Sequence, residues 1–197
     1  SPKAAIMSPT MVTAARHDIL PDVKFGMVLA PREGQTDPTV VTAEFYRAVI
    51  DAARQVADVV IVDTQIVEDH DTSTLIDGVA IPLVRSNGGW AVAVADASLP
   101  GVDNTRLHID KFGVGPERMM FLVNKMTADS PLSQEILQRT MGVKATIMGT
   151  VPLDEEVVTL TNRGQFSNDF EPMGRLLSAI LLRVTGNPAC QRAEKVE

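Results

Sequence analysis

Cysteine is nearly absent: Cys190 is the only one in 197 residues. That excludes an intramolecular disulfide and the usual multi-cysteine zinc patterns, and it suits a reducing cytoplasm. Aromatic residues are also few, with six Phe, one Tyr and one Trp. The core must therefore be built from Val, Ile, Leu, Ala and the nine Met. Positive charge is in deficit. Lys and Arg number 18 against 25 Asp and Glu, a net charge of −7 with a pI near 5.0. No overall positive field draws phosphate backbones, so nucleic acid is not an expected partner. No apolar run reaches the ~18 to 20 residues of a membrane helix, and no basic segment followed by an apolar stretch marks a secretory signal. The sequence has no internal repeat, no low-complexity tract, no G-x-S-x-G nucleophile elbow and no G-x-x-x-x-G-K-[ST] phosphate loop.

What is there is an ordinary globular composition, 45% hydrophobic and 22% charged, which supports one packed domain. That domain is expected over 1–186, with 187–197 as a flexible tail. Ser8-Pro9 predicts a helix with Val12, Ala15 and Ile19 on one face, ending at Pro21. Lys24 to Ala30 reads as a short strand and 31–37 as a loop. Asp37-Pro38 predicts the start of a long helix whose stripe is Val41, Phe45, Val49, Ala52 and Val56. Asp58 to Asp63 (DVVIVD) reads as a buried strand. A short helix is expected within 65–90, where Gly78 and Pro82 interrupt the pattern. Trp90 to Asp96 (WAVAVAD) reads as a strand, Val102 to Phe112 as a helix closed by Gly113, and Arg118 to Asn124 as a strand. Ser130-Pro131 opens a helix that Gly142 ends. Lys144 to Val151 is a further strand, and Asp154 caps a short helix ending at Gly164. Asn168 starts the last helix, whose stripe is Phe170, Met173, Leu177, Ile180, Leu181 and Val184, stopped by Gly186 and Pro188. Aliphatic strands alternating with helices predict an α/β domain: a mostly parallel sheet with helices on both faces.

Ligands of such sheets bind beyond the carboxyl ends of the strands. Three strands here end on polar groups, at Asp63-Thr64, at Asp96-Ala97-Ser98 and at Asn124-Lys125, and a fourth runs into Pro152-Leu153-Asp154. These groups are expected along one rim, where two neighbouring carboxylates can hold a hydrated magnesium ion. Each also has a plain structural reading, because a strand-ending Asp commonly caps the next helix or turn. Ser86 to Trp90, with its paired glycines, reads as a turn. Glu68-Asp69-His70-Asp71 reads as a solvated acidic loop, since His17 and His108 are too distant in sequence to complete a metal site. Met119, Met120 and Met126 read as core filling. Arg175 and Arg183 on the last helix suit contact with an anionic membrane or DNA, but the apolar stripe beside them suits closure of the sheet better.

DVVIVDT, AVAVADASLPGVDNTRLHIDKFG, RMMFLVNKM and ATIMGTVPLDEEVVTLTNRGQ, taken in order, resemble the carboxyl-terminal part of the MinD/ParA ATPases, P-loop NTPases of the SIMIBI class. The CpaE/TadZ-type pilus-localisation proteins are the nearest branch, and the resemblance runs from about Phe25 to Val184. It implies a P-loop NTPase-like fold, incomplete at its amino-terminal side, with ATP and magnesium as cofactors. It also implies an ATP-dependent homodimer that positions cellular cargo, with Flp or type IV pilus assembly the expected task. Other pilus or positioning proteins would be partners, and the location would be cytoplasmic with peripheral contact at the membrane or pole. By the same resemblance Asp63 lies near magnesium and the attacking water, Asp96 supports the metal shell, and Asn124 contacts adenine. Pro152, Leu153 and Asp154 flank the base, and Asn162 to Gln165 (NRGQ) resembles the segment before the family's last helix.

The chain departs from the family in lacking the glycine-rich lysine loop that holds the phosphates. Thr64 is followed by Gln65 where the family has proline, and 65–90 is longer than the usual connection. The expected explanation is a chain that begins downstream of that loop in a longer protein, consistent with Ser1 as first residue. The alternative is a degenerate, nucleotide-free relative serving as a protein-binding scaffold, and a third reading is a small-molecule α/β enzyme unrelated to ATP. In the family the loop's strand is central to the sheet. Its loss leaves two strands with unpaired backbone groups, each costing about 1–3 kcal/mol if buried. Strand rearrangement, a partner or a further segment is expected to repair the gap.

Overall fold

The computed structural model of the protein describes residues 5–15, 23–29, 42–64, 75–86, 88–165 and 170–191. The sequence reads as one domain, but the structure divides into two compact units, Ser1–Pro82 and Leu83–Glu197.

In the first unit Ser8 begins α1 (Pro9–Ala15), its Oγ accepting the Met11 amide hydrogen at 3.3 Å, and Val12 is buried beneath it. Ile19 and Pro21 lie outside the described residues. The expected strand over Lys24 to Ala30 does not form. Met7 and Met27 make one antiparallel bridge, exchanging hydrogen bonds of 2.8 and 3.0 Å. A single bridge fixes two residues without starting a ladder, and Phe25 and Leu29 remain exposed. Helix α2 (Ala43–Arg54) is capped by Thr42, whose Oγ1 accepts from the Phe45 amide at 3.2 Å. The expected start at Asp37-Pro38 lies outside the described residues. Val49, Ile50 and Ala52 form the buried face of α2, whereas Val56 falls beyond its end and is exposed. The Arg47 guanidinium donates to the Gly78 carbonyl of a π-helical turn, Ile76–Ala80.

Asp58 to Asp63 is a correction of more consequence. Residues 57–64 form no strand, and Ile61 is 85% exposed. An apolar run supplies side chains, but a strand exists only where a neighbour takes up its backbone groups, and no described residue pairs with this one. The short helix expected within 65–90 is α3 (Ile81–Arg85), within which the chain passes from one unit to the next.

The second unit is α/β. Its elements are β1 (Ala91–Asp96), α4 (Leu99–Phe112), β2 (Met119–Met126), α5 (Gln134–Met141), β3 (Thr146–Pro152), α6 (Glu155–Asn162) and α7 (Glu171–Thr185). The sheet order is β1-β2-β3, with both pairings parallel. Its two faces are covered by different helices. Val102 and Ile109 of α4 and Leu137 and Met141 of α5 pack on Ala95, Met119, Phe121 and Val123. Leu176 of α7 packs on Leu122 and Val151 of the opposite face, supported by Met173 and Ile180. Helices therefore flank the sheet on both sides, as expected of right-handed crossovers between parallel strands. Met119 and Met120 are core side chains, buried with relative exposures of 1% and 0%.

Several helix boundaries move for local reasons. Helix α4 starts at Leu99 rather than Val102, because Ser98 caps it and Pro100 fits its first turn. At its other end Gly113 adopts φ 61°, and the Arg85 guanidinium donates to the Phe112 and Lys111 carbonyls at 2.7 and 2.9 Å. A side chain at Gly113 would meet that guanidinium at 2.9 Å. Helix α5 starts after Ser133, not at Ser130-Pro131, since the Ser130 hydroxyl donates instead to the Ala97 carbonyl at 3.1 Å. Asn168 lies outside the described residues, and α7 begins after Phe170. Its sheet-facing row is Met173, Leu176 and Ile180, while Leu177 of the expected stripe is 48% exposed. Adjacent leucines fit a 3.6-residue period equally well, and contact with Leu122 and Val151 selects Leu176. Within the expected tail, Pro188–Cys190 form a 3-10 turn after Gly186, and 192–197 lie outside the described residues. No helix among the described residues is long and apolar enough to cross a membrane.

Candidate functional site

The carboxyl ends of β1, β2 and β3 form one rim in the second unit. Asp96 and Asn124 are direct register partners at the ends of β1 and β2. Pro152 pairs with Met126, and the Leu153 amide donates to the Met126 carbonyl at 2.8 Å, which ties Pro152 to Asp154 onto the end of β2. Four of the polar sequence positions, Asp96, Asn124, Lys125 and Asp154, thus share one edge of the sheet.

Each carboxylate at the rim already has a structural task. Asp96 Oδ1 accepts from the Ser98 hydroxyl at 2.6 Å and from the Ser98 amide at 3.2 Å, and Ser98 Oγ accepts from Gly101 N at 3.1 Å. The negative group therefore sits at the positive end of α4. Gly101 is required by this arrangement, since a Cβ there would fall 2.0 Å from Asp96 Oδ1. Asp154 Oδ1 accepts from the Val157 amide at 2.9 Å and caps α6. The helix that follows ends in Asn162 to Gln165, where the Gln165 amide donates to the Leu160 carbonyl at 2.9 Å.

Asn124 is held differently. Its Oδ1 accepts from the next amide, Lys125 N, at 2.9 Å, and its carboxamide NH2 is a donor that this bond does not use. Lys125 itself has φ 60°, the one non-glycine residue in the left-handed region among the described residues. It lies within an irregularity of register between Val123 and Met126. Such bulges re-aim side chains at the ends of sheets, and a lysine held there stores about 1–2 kcal/mol of backbone strain. No pattern in the sequence announces it. Ser98 was legible, through Ser98-Leu99-Pro100, as a cap followed by a first-turn proline. Ser130 was not, because its partner Ala97 is distant along the chain.

Asp63 is exposed in the first unit and belongs to no strand of this sheet. His17 and the acidic stretch around His70 lie outside the described residues, as does Asn87 of the expected glycine turn. Among the described residues no group of three His, Cys, Asp or Glu side chains could hold a metal ion. The rim offers two carboxylates, Asp96 with one oxygen engaged by Ser98 and Asp154 with one engaged by the Val157 amide, so these residues by themselves do not make a magnesium site. Two surface depressions lie over α5 and between β3 and α7.

At the opposite, amino-terminal end of the sheet, the Trp90 ring carries two guanidinium groups, Arg118 at 5.4 Å and Arg183 at 5.3 Å from its centroid. Arg183 also donates to the Pro116 carbonyl at 3.2 Å and to Thr146 Oγ1 at 3.0 Å. It thereby pins α7 across the starts of all three strands, a closing role. Arg175 pairs instead with Glu171 one turn earlier in α7, at 3.0 Å.

Set against known proteins, the chain matches no protein-family model, no curated protein and no solved structure.

Proposed function

We propose that the second unit is the adenine-facing part of a MinD/ParA-like ATPase that positions cellular cargo, with Flp or type IV pilus assembly as its setting. The observation that carries this reading is the shared rim: Asp96 opposite Asn124, with the Pro152 to Asp154 turn bonded to the end of β2. A parallel sheet collects its ligand groups on that side. In this reading the Asn124 carboxamide donates to a ring nitrogen of adenine, Leu153 supplies an exposed apolar surface for the base, and Asp154 holds the turn by capping α6. Magnesium would arrive with the triphosphate, and Asp96 is the carboxylate of this unit proposed for its hydration shell. The role of Asp63 beside the attacking water rests on the resemblance alone. Hydrolysis needs phosphate-binding groups that these 197 residues do not contain, and dimerisation on ATP would follow phosphate binding.

The second reading, a nucleotide-free scaffold for partner proteins, is favoured by one observation: both rim carboxylates are engaged at helix starts, Asp96 by the capping Ser98 and Asp154 by the Val157 amide. Titration calorimetry with Mg-ATP separates the two. The ATPase reading expects saturable heat that GTP does not reproduce and that Asn124→Ala abolishes. A folded chain giving no heat at millimolar Mg-ATP supports the scaffold, or a chain separated from its phosphate-binding groups.

A further inference from the structure

Which way a carboxamide points decides whether it offers a ligand a donor or an acceptor. At Asn124 the backbone makes that choice. The Lys125 amide can only donate, and the atom it meets at 2.9 Å is Asn124 Oδ1, so the oxygen turns back to the chain and the NH2 group is left over. A ligand at this position meets a donor.

The register of β2 explains how that amide comes to serve a side chain. Between the pairs Val123–Thr150 and Met126–Pro152, β2 has one residue more than β3, and neither Asn124 nor Lys125 has a register partner on β3. A residue added in this way drops out of the ladder. On its other side β2 keeps register, with Asn124 opposite Asp96 of β1, so Asn124 stays at the rim while its neighbour is displaced. The chain then returns at once. Met126 faces Pro152 and its carbonyl accepts from the Leu153 amide at 2.8 Å, a return made through Lys125 at φ 60°. Few residues other than glycine, asparagine and aspartate adopt that conformation readily, and β-branched ones resist it most. The lysine side chain is exposed, and none of these bonds uses its ammonium.

We propose that Lys125 is a positioning residue: its left-handed backbone, rather than its charge, fixes Asn124 as a hydrogen-bond donor, so the rim takes a ligand edge that accepts. An unprotonated ring nitrogen or a carbonyl oxygen fits. An exocyclic amine needs its acceptor elsewhere. The identity of the ligand rests on the nucleotide reading, in which a ring nitrogen of the base is that acceptor. The bulge and the bond from Lys125 to Asn124 do not rest on it.

The test uses the full chain and reads the two parts separately. Without nucleotide, nuclear magnetic resonance measures exchange of the residue 125 amide hydrogen against the free-chain rate of the same sequence. Its protection should fall about fivefold in Asn124→Ala, persist in Lys125→Gly and be lost in Lys125→Val. Amides of Met119 to Val123 should keep their protection in every variant, which reports an intact sheet. If Lys125→Val does not fold, Lys125→Ala, which resists the left-handed region less, takes its place. In calorimetry with Mg-ATP, Lys125→Gly should bind as the unaltered chain does, and Lys125→Val about five- to tenfold more weakly. Among ATP analogues in which carbon replaces one ring nitrogen, one should bind the unaltered chain more weakly by a similar factor, and that difference should vanish in Lys125→Val.

Equal protection in Lys125→Val and the unaltered chain, or its loss in Lys125→Gly, overturns the positioning role. Analogues that all bind as ATP does overturn the donor assignment. The expected exchange pattern with no heat from any chain supports the positioning role and counts against nucleotide binding by this chain alone.

Discussion

DVVIVD in the first unit and AVAVAD in the second have the same composition pattern, small or branched apolar residues ending on aspartate, and they have different fates. The second is β1, paired along its length with β2 from Ala91 opposite Met119 to Asp96 opposite Asn124. The first runs without pairing among the described residues, with Ile61 85% exposed. The contrast extends to the units themselves. Two clusters of buried side chains belong to the second unit, while the described part of the first holds a single antiparallel bridge and short helices. Propensity for β structure is thus a statement about partners, since half of a strand's free energy lies in groups the strand does not own.

The comparison breaks most visibly under core truncation. Phe121→Ala, at a residue with 0% exposure in β2, should cost about 3–5 kcal/mol, and Ile61→Ala should cost less than about 0.5 kcal/mol. Urea denaturation followed by circular dichroism reads both, and a large loss at Ile61 would mean that DVVIVD is a packed strand in solution. Hydrogen exchange sharpens the same point without mutation. Amides of β2 should exchange only through unfolding of the unit, and those of 59–63 close to the free-chain rate.

Effects of middle size separate the two arginines of α7. Arg183→Ala removes the stack on Trp90 and two hydrogen bonds, and should cost about 1–2 kcal/mol. Arg175→Ala removes an exposed pair one turn apart in the helix, worth about 0.3–0.5 kcal/mol. Thermal melts should show this order, and the reverse order would deny Arg183 its closing role.

At the rim, Asp154→Ala should cost about 1 kcal/mol through loss of the α6 cap. Asp154→Asn should retain most of that stability, because its side-chain oxygen still accepts from Val157. The smallest effect runs the other way. Lys125→Gly releases a left-handed lysine, so its melting temperature should hold or rise, with a gain of at most about 1 kcal/mol. A marked loss there would show that the lysine side chain contributes contacts that outweigh its backbone strain.

Much of the second unit is legible one residue at a time. The strand cores of β1, β2 and β3, the Asp154 cap, and Gly113, Gly142 and Gly186 as helix ends follow from local chemistry and match the structure. What was misread depends on distant groups. Ser130 gives up its expected cap because Ala97 offers a carbonyl across the rim. Leu176 displaces Leu177 because Leu122 and Val151 lie beneath it. Lys125 enters the left-handed region where the β2–β3 register shifts. The meeting of Asp96, Asn124 and Pro152 to Asp154 was foreseeable because parallel strands place their carboxyl ends together. Whether Asp63 joins a strand was not, since that depends on a neighbour.

Sequence alone determined the class of the second unit, its helix ends and the polar rim, because caps, left-handed glycines and apolar periodicity act within a few residues of the chain. Tertiary structure decided which apolar runs became strands, which leucine of α7 met the sheet, and that Trp90 gathered two arginines from distant positions. Those outcomes turn on hydrogen bonds and contacts between residues far apart along the chain, and no single segment carries them.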